Sequence, residues 1–413
     1  MKFRHIALAA GMVGVFCLPA HADARDISRD TLPAKDGWAS EGEGTTGGSA
    51  ADAAHVHTVT DRAGLVRALD GGSATPKIIR IAGTVDANTD DDGDHLDCAD
   101  YATDGYELKK YLAAYDPRTW GAAKPSGPQE DARQASAKKQ AERVELLVGS
   151  NTTIVGLKGA VLKGGSLQVR NATNVIIRNL DLRDAYDCFP VWQPNTGGLG
   201  DWKTAYDNIW LTGSTHVWVD HVTLSDKGHP DADEPTYLAR NAPKEHGSAV
   251  RVGLSDHRVG GPTAGRAESN ACGGSCKTDL PGDRQGPAKQ EPVVVPLGGT
   301  DLNLQPSGRG GRQSLGISTE GGFYAEGFVF SQPSGVEVAD LVKSWNGSAL
   351  HQTGTLFNGY PVDLLAIHNA YNSGSERDLT ADVGWTPTLH TKIDSAEAAD
   401  REVARGAGAG RIP

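Results

Sequence analysis

Outside its extreme N-terminus the chain has no apolar run near the ~18 residues that a membrane-spanning helix needs, so its body is read as not crossing a membrane. Basic charge is short as well: 40 Lys and Arg stand against 52 Asp and Glu in 413 residues, a net charge of −12. A nucleic-acid partner normally meets a basic patch, and this balance argues against one. Cysteine is scarce, with five in all. Cys17 falls in the N-terminal apolar run, which leaves Cys98, Cys188, Cys272 and Cys276. In an oxidising compartment these allow three pairings, and spacing does not choose among them. Cys272-Gly-Gly-Ser-Cys276 has no second Cys or His pair at ligand spacing nearby, which points to a loop disulfide or free thiols rather than to zinc. Aromatics make up 6% of the chain and are missing altogether from Leu238 to Gly322. The 52 glycines follow no Gly-X-Y period, which excludes collagen and favours a chain of many turns.

What is present begins with an export pattern. Lys2, Arg4 and His5 precede the apolar run Ile6 to Leu18, and Ala20-His21-Ala22 is a small-x-small cleavage site. Residues 1–22 are read as a signal peptide cleaved near Ala22, and the protein as secreted. Residues 23–53, rich in Gly, Ser, Asp and Thr, read as a flexible lead-in. Regular structure is expected from Val56, through a helix-like stretch from Asp61 to Leu69 and strands at Lys77 to Ile81 and Gly83 to Val85. Asp90-Asp91-Asp92-Gly93-Asp94 lacks the Glu and the spacing of an EF-hand and reads as a solvated acidic turn. Gln129 to Arg143, polar and rich in alanine, reads as a helical surface excursion.

Short apolar strands then recur. Thr153 to Leu157 is answered about 22 residues later by Val175 to Leu180, and Ile209 to Thr212 and His216 to Leu224 follow. Short strands between polar turns at such a period mark a stacked solenoid, in which each rung needs its neighbours to bury its inner face. The brevity of the strands favours an all-β parallel β-helix over a sandwich of longer alternating strands. Asn151, Asn171 and Asn174 precede strands, where Asn tolerates left-handed turns and stacks along a solenoid.

Four motifs stand in order: Arg178-Asn179-Leu180-Asp181-Leu182-Arg183-Asp184-Ala185-Tyr186-Asp187, then Phe189-Pro190-Val191-Trp192, then Tyr206-Asp207-Asn208, then Val217-Trp218-Val219-Asp220-His221. Their sequence and spacing resemble those of extracellular bacterial pectate lyases of the parallel β-helix family. Gly384 to His390, Ile393-Asp394 and Ala407 to Gly410 resemble the same family's closing segment. The resemblance covers roughly residues 55–245 and 315–413 and implies one right-handed, single-stranded parallel β-helix domain over 54–413. It implies calcium-dependent β-elimination of pectate, that is polygalacturonate, to 4,5-unsaturated products by a monomer. In the family, calcium bridges protein carboxylates to the uronate carboxylate and acidifies the neighbouring ring proton, which an arginine removes. A −12 protein that binds a polyanion does need cations between the two. Carried over residue by residue, Asp207 is the implied calcium ligand. Asp184 and Asp187 also match the pattern, with an outer-turn role and a ligand role both open. Asp220 and His221 match the Trp-x-Asp-His signature and are read as packing and hydrogen-bonding residues, and Trp218 as core or wall. Gln193 stands where the family commonly has an acid.

The pattern then breaks. Where the resemblance leads one to expect His-Asp-Gly-x-x-Asp, the chain reads Glu245-His246-Gly247-Ser248-Ala249-Val250-Arg251, with His246 as the remnant and both aspartates missing. The Arg-x-Pro-Arg-x-Arg stretch that holds the catalytic arginine is absent, and Arg309 and Arg312 do not match its spacing. The catalytic base and the substrate-binding residues are therefore left unassigned. Asp256-His257, Asp279 and Asp283 read as solvated loop. Residues 247–312 form an anomalous segment, read as a shifted frame or a diverged replacement that disrupts the central rungs. Two further functional readings follow: a non-catalytic polyuronate-binding solenoid, or the inactive product of a frame-shifted lyase gene. A glycoside hydrolase on the same fold comes last, because no carboxylate pair outside the lyase pattern suits it.

Overall fold

Strands of two to six residues, most with apolar side chains on one face, suit one side of a coil. The structure is a computed structural model that describes residues 25–34, 42–194, 201–203, 205–225, 250–253, 315–318, 322–330, 335–345, 347–372, 377–384, 395–398, 401 and 408–412. The expected signal peptide and most of the 247–312 segment lie outside these residues.

The chain enters through β1 (Val56–Val59), α1 (Arg62–Leu69), β2 (Lys77–Ile81) and β3 (Thr84–Asp86). A helical insert follows: α2 (Cys98–Tyr101), α3 (Leu108–Ala114), α4 (Pro117–Trp120) and α5 (Pro128–Val144). Two rungs come next, first β4 (Glu145–Leu147), β5 (Thr152–Gly156) and β6 (Val161–Lys163), then β7 (Ser166–Arg170), β8 (Thr173–Arg178) and β9 (Asp181–Arg183). An antiparallel ribbon, β10 (Val191–Gln193) and β11 (Asp201–Lys203), interrupts the coil before β12 (Ile209–Thr212), β13 (Thr215–Asp220), β14 (Thr223–Ser225) and β15 (Val250–Gly253). Beyond the anomalous segment lie β16 (Leu315–Ser318), β17 (Gly322–Glu326), β18 (Val329–Phe330), β19 (Val342–Trp345), β20 (Ala349–Thr353), β21 (Leu356–Phe357), β22 (Tyr360–Pro361) and α6 (Leu364–Tyr371).

From β2 to β9 and again from β12 to β15 consecutive strands enter different sheets, and strands one rung apart pair in parallel. The sheets run β1-β2-β5-β8-β13, β15-β12-β7-β4 and β14-β9-β6-β3. This is the expected parallel β-helix. Asn151 and Asn174 lie 23 residues apart and their amides bond at 2.9 Å, which gives the rung length and bears out the asparagine stacking. Asn151, Asn171, Asn174 and Asn179 all have positive φ, the corner conformation that Asn tolerates. The run read as one strand from His216 to Leu224 is two strands in two sheets, because His221, at φ 50°, turns the chain between β13 and β14. Inward side chains such as Ile79, Ile154, Leu167, Val175, Ile177 and Val217 form one core along the rungs, and Leu315, Phe323, Phe328 and Leu350 belong to a second. Within the anomalous segment, β15 extends the ladder by pairing in parallel with β12.

Two expectations are corrected. The described parts of the lead-in, 25–34 and 42–53, are docked rather than flexible. Asn174 Oδ1 accepts the amides of Thr46 and Gly47 at 2.7 Å each, the Thr153 hydroxyl accepts the Gly48 amide at 2.9 Å, and Leu32 packs on Ile176 and Trp218. Polar composition suggested flexibility, but this strap spends its polar groups on the outward face of the β1-β2-β5-β8-β13 sheet. Likewise α5 is no mere surface excursion: Glu130, Arg133, Ser136 and Gln140 are buried along it. The acidic turn is as expected, with the half-buried Asp90 accepting the amides of Asp92 and Asp94 through its carboxylate.

Candidate functional site

Tyr206-Asp207-Asn208 leads into β12, so the Asp207 carboxylate sits at the entrance to the β4-β7-β12-β15 sheet. Asp207 is 1% exposed. Its carbonyl accepts the Ser166 hydroxyl, and the next carbonyl, of Asn208, accepts the Leu167 amide at 3.0 Å, so the ladder fixes this segment from the β7 side. The side-chain oxygen of Asn208 is buried without a hydrogen-bond donor. Tyr206 packs on Val144 and Ala185, and burial, with the negative charge of Asp187 adding to it, pushes its phenol well above the usual range.

Asp187 lies on the loop after β9, is 2% exposed, and bonds backbone amides through both oxygens. One oxygen accepts the Phe189 amide and the other the Ala205 amide, each at 2.8 Å. Asp184 sits at the start of the same loop with φ 54°, a half-buried corner residue. The geometry therefore gives Asp187 a loop-fixing place, while Asp207 faces the sheet entrance.

Asp220 and His221 belong elsewhere, on the strap-covered sheet. Val217 and Val219 point into the core, so Trp218 and Asp220 point outward. Arg178, in the same phase on β8, donates to Asp220 at 2.5 Å and to Asp30 of the strap at 2.7 Å, and lies 4.6 Å over the Trp218 ring. His221 Nδ1 is 2.7 Å from the other Asp220 oxygen. Burial alone would raise the Asp220 carboxyl, but the bonds from His221 and Arg178 outweigh it and hold the group below its ordinary value. The packing and hydrogen-bonding reading of these two residues agrees with this arrangement.

Among the described residues no group of three or more His, Cys, Asp or Glu side chains could hold a metal ion. His246, Asp256, His257, Asp279, Asp283, Arg309 and Arg312 lie outside the described residues. Of the pairings the sequence left open, the structure forms Cys98–Cys188, which ties α2 to the Asp187 loop. Sequence reasoning missed Arg178 and Asp30; period-two phasing on β8 and β13 was the available signal for Arg178.

A family model described as pectate lyase matches residues 1–104 and 122–258, leaving out the stretch that holds α3 and α4. The pectate lyase of Bacillus subtilis (strain 168) is 37% identical over 415 residues, covering 95% of this chain and 96% of that protein. Pectate lyase A of Dickeya chrysanthemi is 27% identical over 406 residues, covering 90% and 89%. A solved structure of a variant of the Bacillus subtilis enzyme superposes with a TM-score of 0.79 at 33% identity, covering 94% of this chain and all (100%) of that one. A pectate lyase bound to a hexasaccharide gives 0.74 at 32% identity, with the same coverage. With the coil, the corner asparagines and the motif order already in place, these matches along nearly the whole length mean that the chain belongs to the pectate lyase family.

Proposed function

We infer that the protein is a secreted, calcium-dependent pectate lyase that cleaves polygalacturonate by β-elimination to 4,5-unsaturated oligogalacturonides, acting as a monomer. The observation that carries this reading is the buried Asp207 carboxylate at the β12 entrance, with the undonated amide oxygen of Asn208 next to it in the chain. Both are the hard oxygen donors that calcium takes, but calcium takes about six to eight of them. The described residues thus fit part of a calcium site, and the remaining oxygen donors are to come from residues outside them. Calcium, when bound, neutralises the uronate carboxylate and makes the adjacent ring proton more acidic. Asp207 contributes a fixed negative charge that brings a cation to the sheet entrance of an otherwise acidic protein. The base that removes the proton is unassigned.

The test follows absorbance from unsaturated uronate products when the purified protein meets polygalacturonate with and without calcium. Calcium-dependent absorbance supports the lyase. New reducing ends without unsaturation point to a hydrolase. Binding with neither supports the non-catalytic solenoid. Asp207→Ala should weaken calcium binding about tenfold or more, read by calorimetry, and unchanged affinity contradicts its ligand role. Secretion is checked by N-terminal sequencing of protein from the culture medium, with a start near Asp23 expected.

A further inference from the structure

The segment carrying Asp207 is held from two sides. The solenoid ladder supplies one, through Ser166 and Leu167. The other is built by side chains that the sheet does not require. Asp187 joins two stretches of chain 18 residues apart, because its second oxygen holds the amide of Ala205, two residues before Asp207. The Asp187 loop is gripped in turn by α5. The Gln140 side chain donates to the Tyr186 carbonyl at 2.9 Å and accepts the Cys188 amide at 3.1 Å, while Arg133 donates to the Phe189 carbonyl at 2.8 Å.

Arg133 is itself oriented by a two-point pair with Glu130, at 2.9 and 2.8 Å, and Tyr111 and Gln134 also donate to that carboxylate. Burial would raise the Glu130 carboxyl, yet these donors outweigh it and keep the group below its ordinary value, as an ionised anchor. Covalent fixation comes next to Asp187: Cys188 is bridged to Cys98, 90 residues earlier, at the start of α2. Phe189 and Trp192 continue into the cluster of Tyr101, Tyr106, Tyr111 and Tyr115. Tyr206 completes the arrangement by packing on Val144 at the end of α5.

We propose that α5, the Cys98–Cys188 disulfide and Asp187 form a positioning clamp that sets the place of the Asp207 carboxylate, so that cation affinity at Asp207 depends on the clamp. The proposal rests on the reading of Asp207 as a calcium ligand. Its physical basis is that partners holding a ligand in place typically govern about 10- to 100-fold in metal affinity without touching the ion. A carboxylate just ahead of a short strand, on a segment that also has to leave the β10-β11 ribbon, needs such an external reference. The helical insert provides one that is independent of the rungs. Asp187 is thus a positioning residue, and the insert is part of the site's frame.

The test uses the full mature protein and two readouts. Calcium affinity is measured by calorimetry for the parent, Asp187→Asn, the Cys98→Ser/Cys188→Ser double variant and Asp207→Ala. Hydrogen exchange of the amides at 205–208 is measured on the same proteins without calcium. Asp187→Asn keeps an acceptor for one amide and loses the other, so it tests the clamp even if the double variant folds poorly. The expected result is exchange at 205–208 faster by about tenfold or more, with the β5 and β8 amides unchanged, and calcium binding weaker by about tenfold or more. Unchanged exchange at 205–208 in folded Asp187→Asn overturns the clamp. Faster exchange with unchanged calcium affinity, while Asp207→Ala loses binding, overturns its link to affinity. Calcium binding untouched by Asp207→Ala overturns the ligand reading instead, and exchange alone then decides the clamp.

Discussion

Arg178 carries a full charge at 8% exposure, which is tolerable only because Asp220 and Asp30 both accept from it. Removing Asp220 leaves the guanidinium with Asp30 alone, so Asp220→Ala should cost about 3 kcal/mol, read from urea unfolding. The pH dependence follows from the depressed Asp220 carboxyl. A carboxyl whose folded value lies below its unfolded one stabilises the fold above the unfolded value, about 3.9, and that contribution is lost as pH falls through the folded value. Glu130 and Asp86 are held low in the same way, despite burial, by Arg133 and Lys163. Stability should therefore drop from about pH 4 downward, and Asp220→Asn should flatten part of that slope; an identical slope in the variant contradicts the assignment.

Gly47 and Gly48 show why the strap has the sequence it has. A Cβ on Gly47, whose φ is 52°, would lie 2.4 Å from the Thr153 hydroxyl oxygen, and one on Gly48 would lie 1.9 Å from the Lys77 carbonyl. Backbone cannot yield as a side-chain tip can, so Gly48→Ala should lift the strap from the sheet. Faster proteolysis at residues 25–53 and a red shift in Trp218 emission would report it, and unchanged digestion would contradict it. The strap was not legible in the sequence, because Gly, Ser and Asp look alike whether they solvate a loose tail or serve a close backbone approach. The rungs were legible, since Val175 and Ile177 against Ile176 and Arg178 repeat a two-residue alternation at a fixed rung length. Asp207 was singled out as a candidate through its neighbours Tyr206 and Asn208. The contacts around it were not: Asp187 holds Ala205, and Gln140 and Arg133 hold the Asp187 loop, all across folded distance, and a helix with buried Glu, Arg and Gln has the hydropathy of an exposed one.

A net charge of −12 opposes the approach of a polyanion. At saturating calcium, raising monovalent salt from about 0.01 to 0.15 M shortens the screening length from about 30 to 8 Å, so association with polygalacturonate should speed up, as stopped-flow would show. A protein guided by a basic surface would show the reverse. The ends of the chain also bear on the whole. The tail reaches back to the early rungs, where Thr223 accepts the Ala409 amide at 3.0 Å and Asn179 the Gly410 amide at 2.7 Å. The strap covers Ile176 and Trp218, outward residues on neighbouring strands. Left bare, that face would offer Ile176 and Trp218 to the next molecule, and here the strap already occupies it. Cleavage some ten residues beyond the expected export site would thus do more than trim a tail. It would open an apolar spot that the strap keeps sealed.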